Sequence, residues 1–186
     1  MARPREFNQD EVLDGAIDIF WRRGYGATNL PDLLTAMNMS RGSFYGAFID
    51  KHRAYVAALK RYEEVYLVKL LNKLLAPPAS SLAEHLLILY EQIDSTGPLD
   101  LRRGCFICNA MAEFGTSDAE IAQSVIRMSD AIEATLTTVL KNAGKTERQA
   151  TTQAKALLQI YYGAQTLSKS GGGTSDFLTI IKAIIA

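Results

Sequence analysis

The chain has 186 residues, a mass of 20.4 kDa and equal numbers of basic and acidic side chains, 20 of each. Hydrophobic residues make up 48% of it, which favours a folded domain with a sizeable core over a disordered chain. The charge balance excludes a uniformly basic nucleic-acid-binding protein, and no apolar run is long enough to predict a transmembrane helix. Because no apolar signal segment follows Met1 and there are only two cysteines, we expect a cytoplasmic protein in a reducing compartment.

Hydrophobic residues recur at helical spacing along almost the whole chain, and no segment alternates between apolar and polar residues as a strand would. The sequence therefore predicts an all-α fold of about nine helices. Asn8 with Glu11 indicates a capping box at the start of the first helix, and Gly24 indicates the end of that helix. A short second helix follows and ends near Asn38, a residue type that tolerates positive φ.

Ser40 is expected to cap a third helix that runs to Phe48. Asp50 is expected to cap a long fourth helix, which the two prolines at 77 and 78 end. Five further helices are expected. Three of them begin at capping boxes, at Ser81, Ser117 and Thr146. One is an apolar segment from Cys105 to about Phe114, and the last has a cap at Thr174 or Ser175.

Residues 28–51 predict a helix, a tight turn and a second helix. Leu33, Met39 and Phe44 are spaced so that they can close over one another inside this unit. In a helix-turn-helix, the second helix lies in the major groove and the residues at its N-terminal end meet the base edges. The free N–H groups at that end also attract phosphate. The candidate base-contacting residues are therefore Arg41, Gly42, Ser43 and Tyr45.

The N-terminal part of the chain also resembles the TetR family of transcriptional regulators, in Gly24, Tyr25, Thr28, Asp32, Leu33, Ser40–Tyr45, Phe48 and Lys51. This resemblance implies a helix-turn-helix DNA-binding domain at residues 1–50 and a ligand-binding and dimerisation domain at residues 51–186. It implies phosphate contacts by Thr28, Tyr45 and Lys51, and base-edge positions for Arg41 and Ser43. Ser40 and Gly42 complete the expected DNA-binding set. The sequence departs from the family where Asn38 replaces the usual turn glycine and where Gly46 and Ala47 replace a larger pair.

The segment Arg102–Ala110 contains both cysteines, Cys105 and Cys108. A thiol at a helix N-terminus beside arginines is expected to have a lowered pKa and to react more readily. The segment resembles the subset of TetR-family repressors related to the regulator of N-ethylmaleimide reductase, in which a cysteine here can sense oxidants or electrophiles. Inert packing of both thiols is the alternative, since free cysteine is often buried. Two cysteines alone are too few for a structural zinc site, and no metal or cofactor is expected.

The remainder of the chain predicts an effector-binding domain. A largely apolar ligand pocket between helices is expected to be lined by Tyr62, Tyr66, Tyr90, Phe106, Met111, Phe114, Met128 and Tyr161. The last two helices, at residues 146–168 and 174–185, are expected to form a homodimer, because a paired recognition helix needs one to read a palindrome.

These features predict a DNA-binding transcriptional regulator and not an enzyme. It is expected to be a repressor that binds a near-palindromic double-stranded operator as a homodimer and is released by an unidentified small molecule or by cysteine modification. One alternative is a thiol oxidoreductase that uses the Cys105-x-x-Cys108 pair, although the sequence lacks the βαβ context of such enzymes. The other is a helical adaptor whose helix-turn-helix binds only protein.

Overall fold

The computed structural model describes residues 8–91, 93, 103–172 and 176–186. Nine helices and no strand lie in these ranges, which confirms the all-α prediction. In chain order the helices are α1 (Gln9–Ala27), α2 (Leu30–Ala36), α3 (Arg41–Phe48), α4 (Lys51–Tyr62, continued through a π-helical turn, Glu63–Leu67, by Val68–Leu75), α5 (Leu82–Leu86, ending in a 3-10 turn, Leu87–Leu89), α6 (Phe106–Phe114), α7 (Ala119–Asn142), α8 (Glu147–Ser168) and α9 (Phe177–Ile185). None of these helices has the length and apolar character needed to cross a membrane.

Most helix starts follow from local capping chemistry. The Ser40 side chain accepts a hydrogen bond from the Ser43 N–H at the start of α3, and Asp50 accepts one from Arg53 at the start of α4. The predicted capping boxes at Ser81 and Thr146 are both present. These short-range signals therefore place the helices on either side of the turn and most of the helices that follow.

Three of the predicted caps differ in the structure. Asn8 accepts from the Asp10 N–H and bonds to Glu11 through its side-chain amide, so the first capping box does not form. Asp118, and not Ser117, caps α7, because its carboxylate reaches the Ile121 N–H. Asp176 caps α9, while the predicted caps at residues 174 and 175 lie outside the described residues.

The helix-turn-helix has its own tightly packed interior. Phe20, Leu33, Met37 and Phe44 are at most 1% exposed. Gly15 permits the close approach of α1 and α2, since a Cβ there would lie 2.1 Å from the carbonyl oxygen of Ala36. The exposed ends of α2 and α3 are thereby fixed against α1.

An aromatic cluster joins this unit to the rest of the molecule. The Trp21 ring of α1 lies edge-on to Tyr62 of α4, with a centroid distance of 5.3 Å, and stacks on Phe106 of α6 at 6.1 Å. Tyr55 also contacts Phe106 edge-on. Because α1 packs against both α4 and α6, a displacement of α6 bears directly on the helix that supports the helix-turn-helix.

Candidate functional site

The turn between α2 and α3 has the geometry that the sequence predicts. Asn38 adopts φ 51°, and Ser40 begins α3 with its hydroxyl 3.2 Å from the Ser43 N–H and 2.9 Å from the Ser43 hydroxyl. Phe44 is fully buried beneath this turn. The N-terminal end of α3 is therefore held in one orientation relative to the core.

The outward face of α3 carries the predicted base-contacting side chains. Arg41, Gly42, Ser43 and Tyr45 are all exposed, and the Tyr45 ring is 48% exposed while its edge packs against Phe44. A Cβ at Gly42 or at Gly46 would meet no other atom within 4 Å. This face of α3 therefore has few protruding side chains and can approach base edges closely. Arg41 is the one basic residue of α3.

Thr28 is placed differently from the prediction of a phosphate contact. Its side chain is completely buried, and its hydroxyl donates a hydrogen bond of 2.6 Å to the Gly24 carbonyl. Helix α1 is interrupted at Gly24, whose φ and ψ are not helical. The Thr28 hydroxyl thus satisfies the free carbonyl at this interruption and is not presented at the surface.

Lys51 has a structural role that the sequence did not indicate. Its Nζ donates to the carbonyl oxygens of Tyr25 and Thr28, each at 3.0 Å, and lies 4.1 Å from the centroid of the Tyr25 ring. A cation at the C-terminal end of a helix is favoured by the helix dipole. The half-buried ammonium group therefore joins the start of α4 to the end of α1, and only its remaining N–H is left for a phosphate.

The two cysteines form one site at the start of α6. Cys105 is 2% exposed and is the N-terminal cap residue, whereas Cys108 is half-buried. The pKa of the Cys105 thiol is lowered from 9.0 to about 7, chiefly by a hydrogen bond from the Cys108 thiol and also by the Cys108 and Ile107 backbone N–H groups. The pKa of Cys108 is raised, because Cys108 donates that bond and is itself buried. The pair is therefore asymmetric, with the thiolate on Cys105.

Arg103, one of the two arginines that precede the thiols, is engaged with other partners. Arg103 forms an ion pair with Asp18 at 2.9 Å and lies over the Trp21 ring, so its charge is directed away from the thiols. Arg102 lies outside the described residues. The Cys108 thiol and the backbone N–H groups of Cys108 and Ile107, at the N-terminus of α6, lower the pKa of Cys105.

A buried polar chain continues from the thiols into α8. Tyr161 hydrogen-bonds to Cys105, and Gln165 donates from Nε2 to the Tyr161 hydroxyl at 3.1 Å. Gln165 is 2% exposed, and its Oε1 lacks a hydrogen-bond partner among the described residues. Nowhere among the residues that the structure describes do three or more His, Cys, Asp or Glu side chains come together as a possible metal site.

Among the described residues, the side chains predicted to line an aromatic pocket do not surround one common cavity. Tyr62, Tyr66 and Tyr161 border a space of only about 10 Å³, which suits no more than one water molecule. Phe106 and Met128 are fully buried core residues, and the Tyr90 ring stacks on Phe177. Mutual packing of the rings fills the volume that their spacing had suggested.

Two predicted pocket residues line a different space. Met111 and Phe114 border an apolar groove of about 240 Å³ between α6 and α7. A third, larger space of about 390 Å³ lies between the end of α4, α5 and the end of α7, where His85 is the buried polar residue. Both spaces therefore lie away from the packed rings of Tyr62, Tyr66 and Tyr161.

The predicted dimer helices expose part of their apolar surface. Leu167 of α8 is 56% exposed, Ile184 of α9 is half-buried, and a Cβ at Gly163 would meet nothing within 4 Å. Ile181 of α9, by contrast, is fully buried in the core of the protein itself.

The comparisons with known proteins agree with this arrangement. Residues 12–53 match the family model described as bacterial regulatory proteins of the tetR family. An uncharacterised HTH-type transcriptional regulator of Bacillus subtilis (strain 168), YezE, is 29% identical over 134 residues, which cover 72% of this chain and 68% of that protein. The matched family segment contains the whole helix-turn-helix with its exposed α3.

Two solved structures share the fold over nearly the whole chain. A cysteine mutant of the TetR-family regulator CifR, complexed with 26-base-pair operator DNA, has a TM-score of 0.78 at 21% identity and 98% coverage of both chains. Escherichia coli NemR in its reduced form has a TM-score of 0.78 at 23% identity, covering 96% of this chain and 97% of that one. Residues 12–53 therefore match the DNA-binding segment of the tetR family, the whole chain has the fold of TetR-family regulators, and these findings together support a DNA-binding transcriptional regulator.

Proposed function

We propose that this regulator is a repressor that binds a near-palindromic operator as a homodimer and leaves it when Cys105 is modified. The proposed release by modification of Cys105 rests on the thiol pair itself, in which the Cys108 thiol and two backbone N–H groups favour the thiolate of Cys105. Structural neighbours include a cysteine mutant on operator DNA and a protein in its reduced form, which supports the same assignment.

DNA recognition is assigned to the exposed face of α3. Arg41, Ser43 and Tyr45 reach the groove, Gly42 and Gly46 allow close approach, and the Ser40-capped helix start directs N–H groups at phosphate. Residues 8–50 contain this unit, and the remainder of the chain contains the thiol pair and the dimer surface. Two copies of α3 must be held at one fixed separation, because half-sites repeat about every 34–36 Å along the duplex.

The thiol chemistry requires a small reagent, because Cys105 is almost inaccessible. With a hydroperoxide, the Cys105 thiolate attacks one oxygen, the O–O bond breaks and hydroxide or alkoxide leaves, giving a sulfenic acid. The Cys108 thiol then attacks that sulfur and water leaves, giving a disulfide. Because Cys105 lies at the start of α6 and Cys108 one turn later, this bond alters the first turn of that helix.

The thiol oxidoreductase alternative is disfavoured by the same burial. An oxidoreductase must present its attacking sulfur to a protein or small-molecule disulfide, and Cys105 is only 2% exposed. A reversible small-molecule effector is the competing trigger, and the 240 Å³ groove beside Met111 and Phe114 is where it would bind.

Selection of bound duplexes from a random pool supplies the operator for the test. Hydrogen peroxide should then release the wild type, while Cys105→Ser should stay bound and reduction should restore binding. Cys108→Ser distinguishes a disulfide, whose formation it prevents, from a sulfenic acid on Cys105 alone. If mass spectrometry shows Cys105 oxidised while DNA remains bound, the thiol is not the switch. A reporter placed behind the operator then gives the sign of regulation.

A further inference from the structure

Helix α1 is broken at Gly24, and the broken ends are bonded by side chains of α6. Gly24 has φ 80° and ψ 170°, far from helical values. In a continuous helix the Tyr25 N–H would donate to the Trp21 carbonyl, four residues earlier. Instead the Tyr25 N–H donates to the Glu113 carboxylate at 2.5 Å, and the Trp21 carbonyl accepts from the Asn109 amide at 3.2 Å. Both members of the missing hydrogen bond are thus satisfied by α6.

Asn109 and Glu113 are four residues apart, so they project from one face of α6. Glu113 also accepts from the Gly26 N–H at 3.4 Å. Asn109 is 7% exposed, and its amide nitrogen also donates to the Arg103 carbonyl at 3.0 Å. Lys169, which follows the last residue of α8, donates to the side-chain oxygen of Asn109 at 3.0 Å. The α1 break is therefore held by two residues, one of which is itself fixed by two further segments.

The other side of the break is bonded to the DNA-binding unit. The Gly24 carbonyl accepts from the Thr28 hydroxyl, and the Tyr25 and Thr28 carbonyls accept from Lys51. Thr28 lies two residues before the start of α2, and Lys51 begins α4, three residues after the end of α3. Any movement of residues 24–28 therefore displaces the two ends of the helix-turn-helix together.

We propose that Asn109 and Glu113 are positioning residues for operator binding: they hold α1 in its broken form and thereby set the position of α3. The inference rests on the proposed thiol switch for its trigger, and the link is short. The Asn109 backbone N–H donates to the Cys105 carbonyl at 3.0 Å, so Asn109 lies one helical turn from the reactive thiol. A disulfide that reshapes this turn withdraws Asn109 from Trp21 and, on the same helix, Glu113 from Tyr25.

The break has a second conformation available to it. Once released, the Trp21 carbonyl and the Tyr25 N–H can bond to each other if Gly24 takes helical φ and ψ, which glycine adopts as easily as positive φ. The broken form favours glycine, because φ 80° with ψ 170° is a region that other residues hardly enter, and a Cβ at residue 24 would also lie 1.9 Å from a Glu113 carboxylate oxygen. Helix α1 thus has two discrete arrangements, and α6 determines which of them is favoured. Coupling between the thiol site and α3 requires a two-state element of this kind.

The test compares Glu113→Ala, Glu113→Gln and the control Glu147→Gln in the full-length dimer. Glu147 is an exposed carboxylate of α8 that pairs with Lys141, far from the break. Glu113→Ala should weaken operator binding by the reduced protein roughly tenfold, since backbone N–H groups lose their acceptor. Glu113→Gln keeps an acceptor oxygen and should retain most of the affinity, and Glu147→Gln should match the wild type.

Oxidation supplies the second measurement. The wild type should lose operator affinity on oxidation. Glu113→Ala should lose little further affinity when it is oxidised, because the Tyr25 and Gly26 N–H groups have already lost their acceptor. The double variant Gly24→Ala with Glu113→Ala removes the clash and favours a continuous helix. It should stay folded by circular dichroism and bind operator as weakly as the oxidised wild type. Trp21, the sole tryptophan, lies at the break and should show the same fluorescence change in both.

The outcomes separate the two proposals. If Glu113→Ala and the double variant bind and respond like the wild type, the positioning role is wrong whether or not the thiol switch operates. If Glu113→Ala is weak, Glu113→Gln is not, and the oxidised wild type stays bound, the positioning role is supported and the thiol trigger is overturned.

Discussion

The ammonium group of Lys51 lies over the Tyr25 ring and bonds to the Tyr25 carbonyl, so that the first residue of α4 caps the last turn of α1. The same group bonds to the Thr28 carbonyl. A family resemblance suggests a phosphate contact for this lysine, and the structure adds an internal one. The two roles predict different consequences of removing it.

Lys51→Ala should lower both stability and DNA affinity. Two carbonyls lose a charged donor, which should reduce the free energy of unfolding by about 1–3 kcal/mol. Loss of a phosphate contact should weaken binding to all duplexes alike and flatten the salt dependence by about one unit. Urea unfolding and salt titrations measure the two effects separately. A stability loss with an unchanged salt slope would leave only the internal role.

Arg41→Ala should act on sequence discrimination. Arg41 is exposed at the first position of α3, where side chains meet base edges. Its removal should cost about 1–3 kcal/mol on the selected operator and much less on random duplexes. Fluorescence anisotropy with both duplexes at one salt concentration measures the difference. Equal losses on the two duplexes would mean that Arg41 contacts the backbone and not a base.

The helix-turn-helix could be predicted closely because its signals are local. Ser40 and Asp50 cap the helices that follow them, and Asn38 takes the positive φ that its side chain tolerates. Each of these features depends on residues within four positions along the chain. Local chemistry of this kind can be identified from sequence without knowing what packs where.

The features that sequence did not predict depend on distant partners. The capping of Tyr25 by Glu113 and the packing of Tyr90 on Phe177 each join residues that are far apart along the chain. Periodicity indicates that a side chain faces inward but not which neighbour fills the space beside it. For that reason an expected aromatic pocket is in fact packed core.

Ile49 should be replaceable with a gain in stability. It has φ 69° and ψ −54°, and the Asp50 N–H donates to the Phe48 carbonyl at 2.7 Å, which is a γ-turn of the strained positive-φ type. A β-branched residue is unfavourable there, and 73% of this side chain is exposed. Ile49→Gly should raise the free energy of unfolding by about 1 kcal/mol. Urea unfolding beside Ile49→Val, which retains the branch, checks the prediction, and equal midpoints for the two variants would contradict it.

The dimer surface can be tested with variants that leave the core intact. Leu167→Glu and Gly163→Phe change positions that are exposed or have free space in one protomer, so each should yield a folded monomer that binds the operator weakly. Ile181→Glu should instead unfold the protein, because Ile181 is fully buried within a protomer. Analytical ultracentrifugation with circular dichroism separates these results. Dimers that persist in both surface variants would place the interface on other helices.

The reactivity of Cys105 should follow a pH profile set by its partner. A pKa lowered to about 7 means that the thiolate, and with it the alkylation rate, rises with pH to half its maximum near pH 7. An unperturbed thiol would reach that point two units higher, at the ordinary value of 9.0. Cys108→Ala removes the largest cause of the shift and should move the profile to higher pH. Cys108→Ser keeps a hydroxyl donor and should leave the profile closer to that of the wild type.

Iodoacetamide labelling followed by mass spectrometry of the Cys105 peptide gives the rate at each pH. Restricted access of the reagent to Cys105 lowers the rate by the same factor at every pH, so it lowers the maximum rate and does not move the midpoint. A midpoint near 9 in the wild type, or the same midpoint in Cys108→Ala, would contradict the hydrogen-bonded pair and remove the chemical basis of the proposed switch.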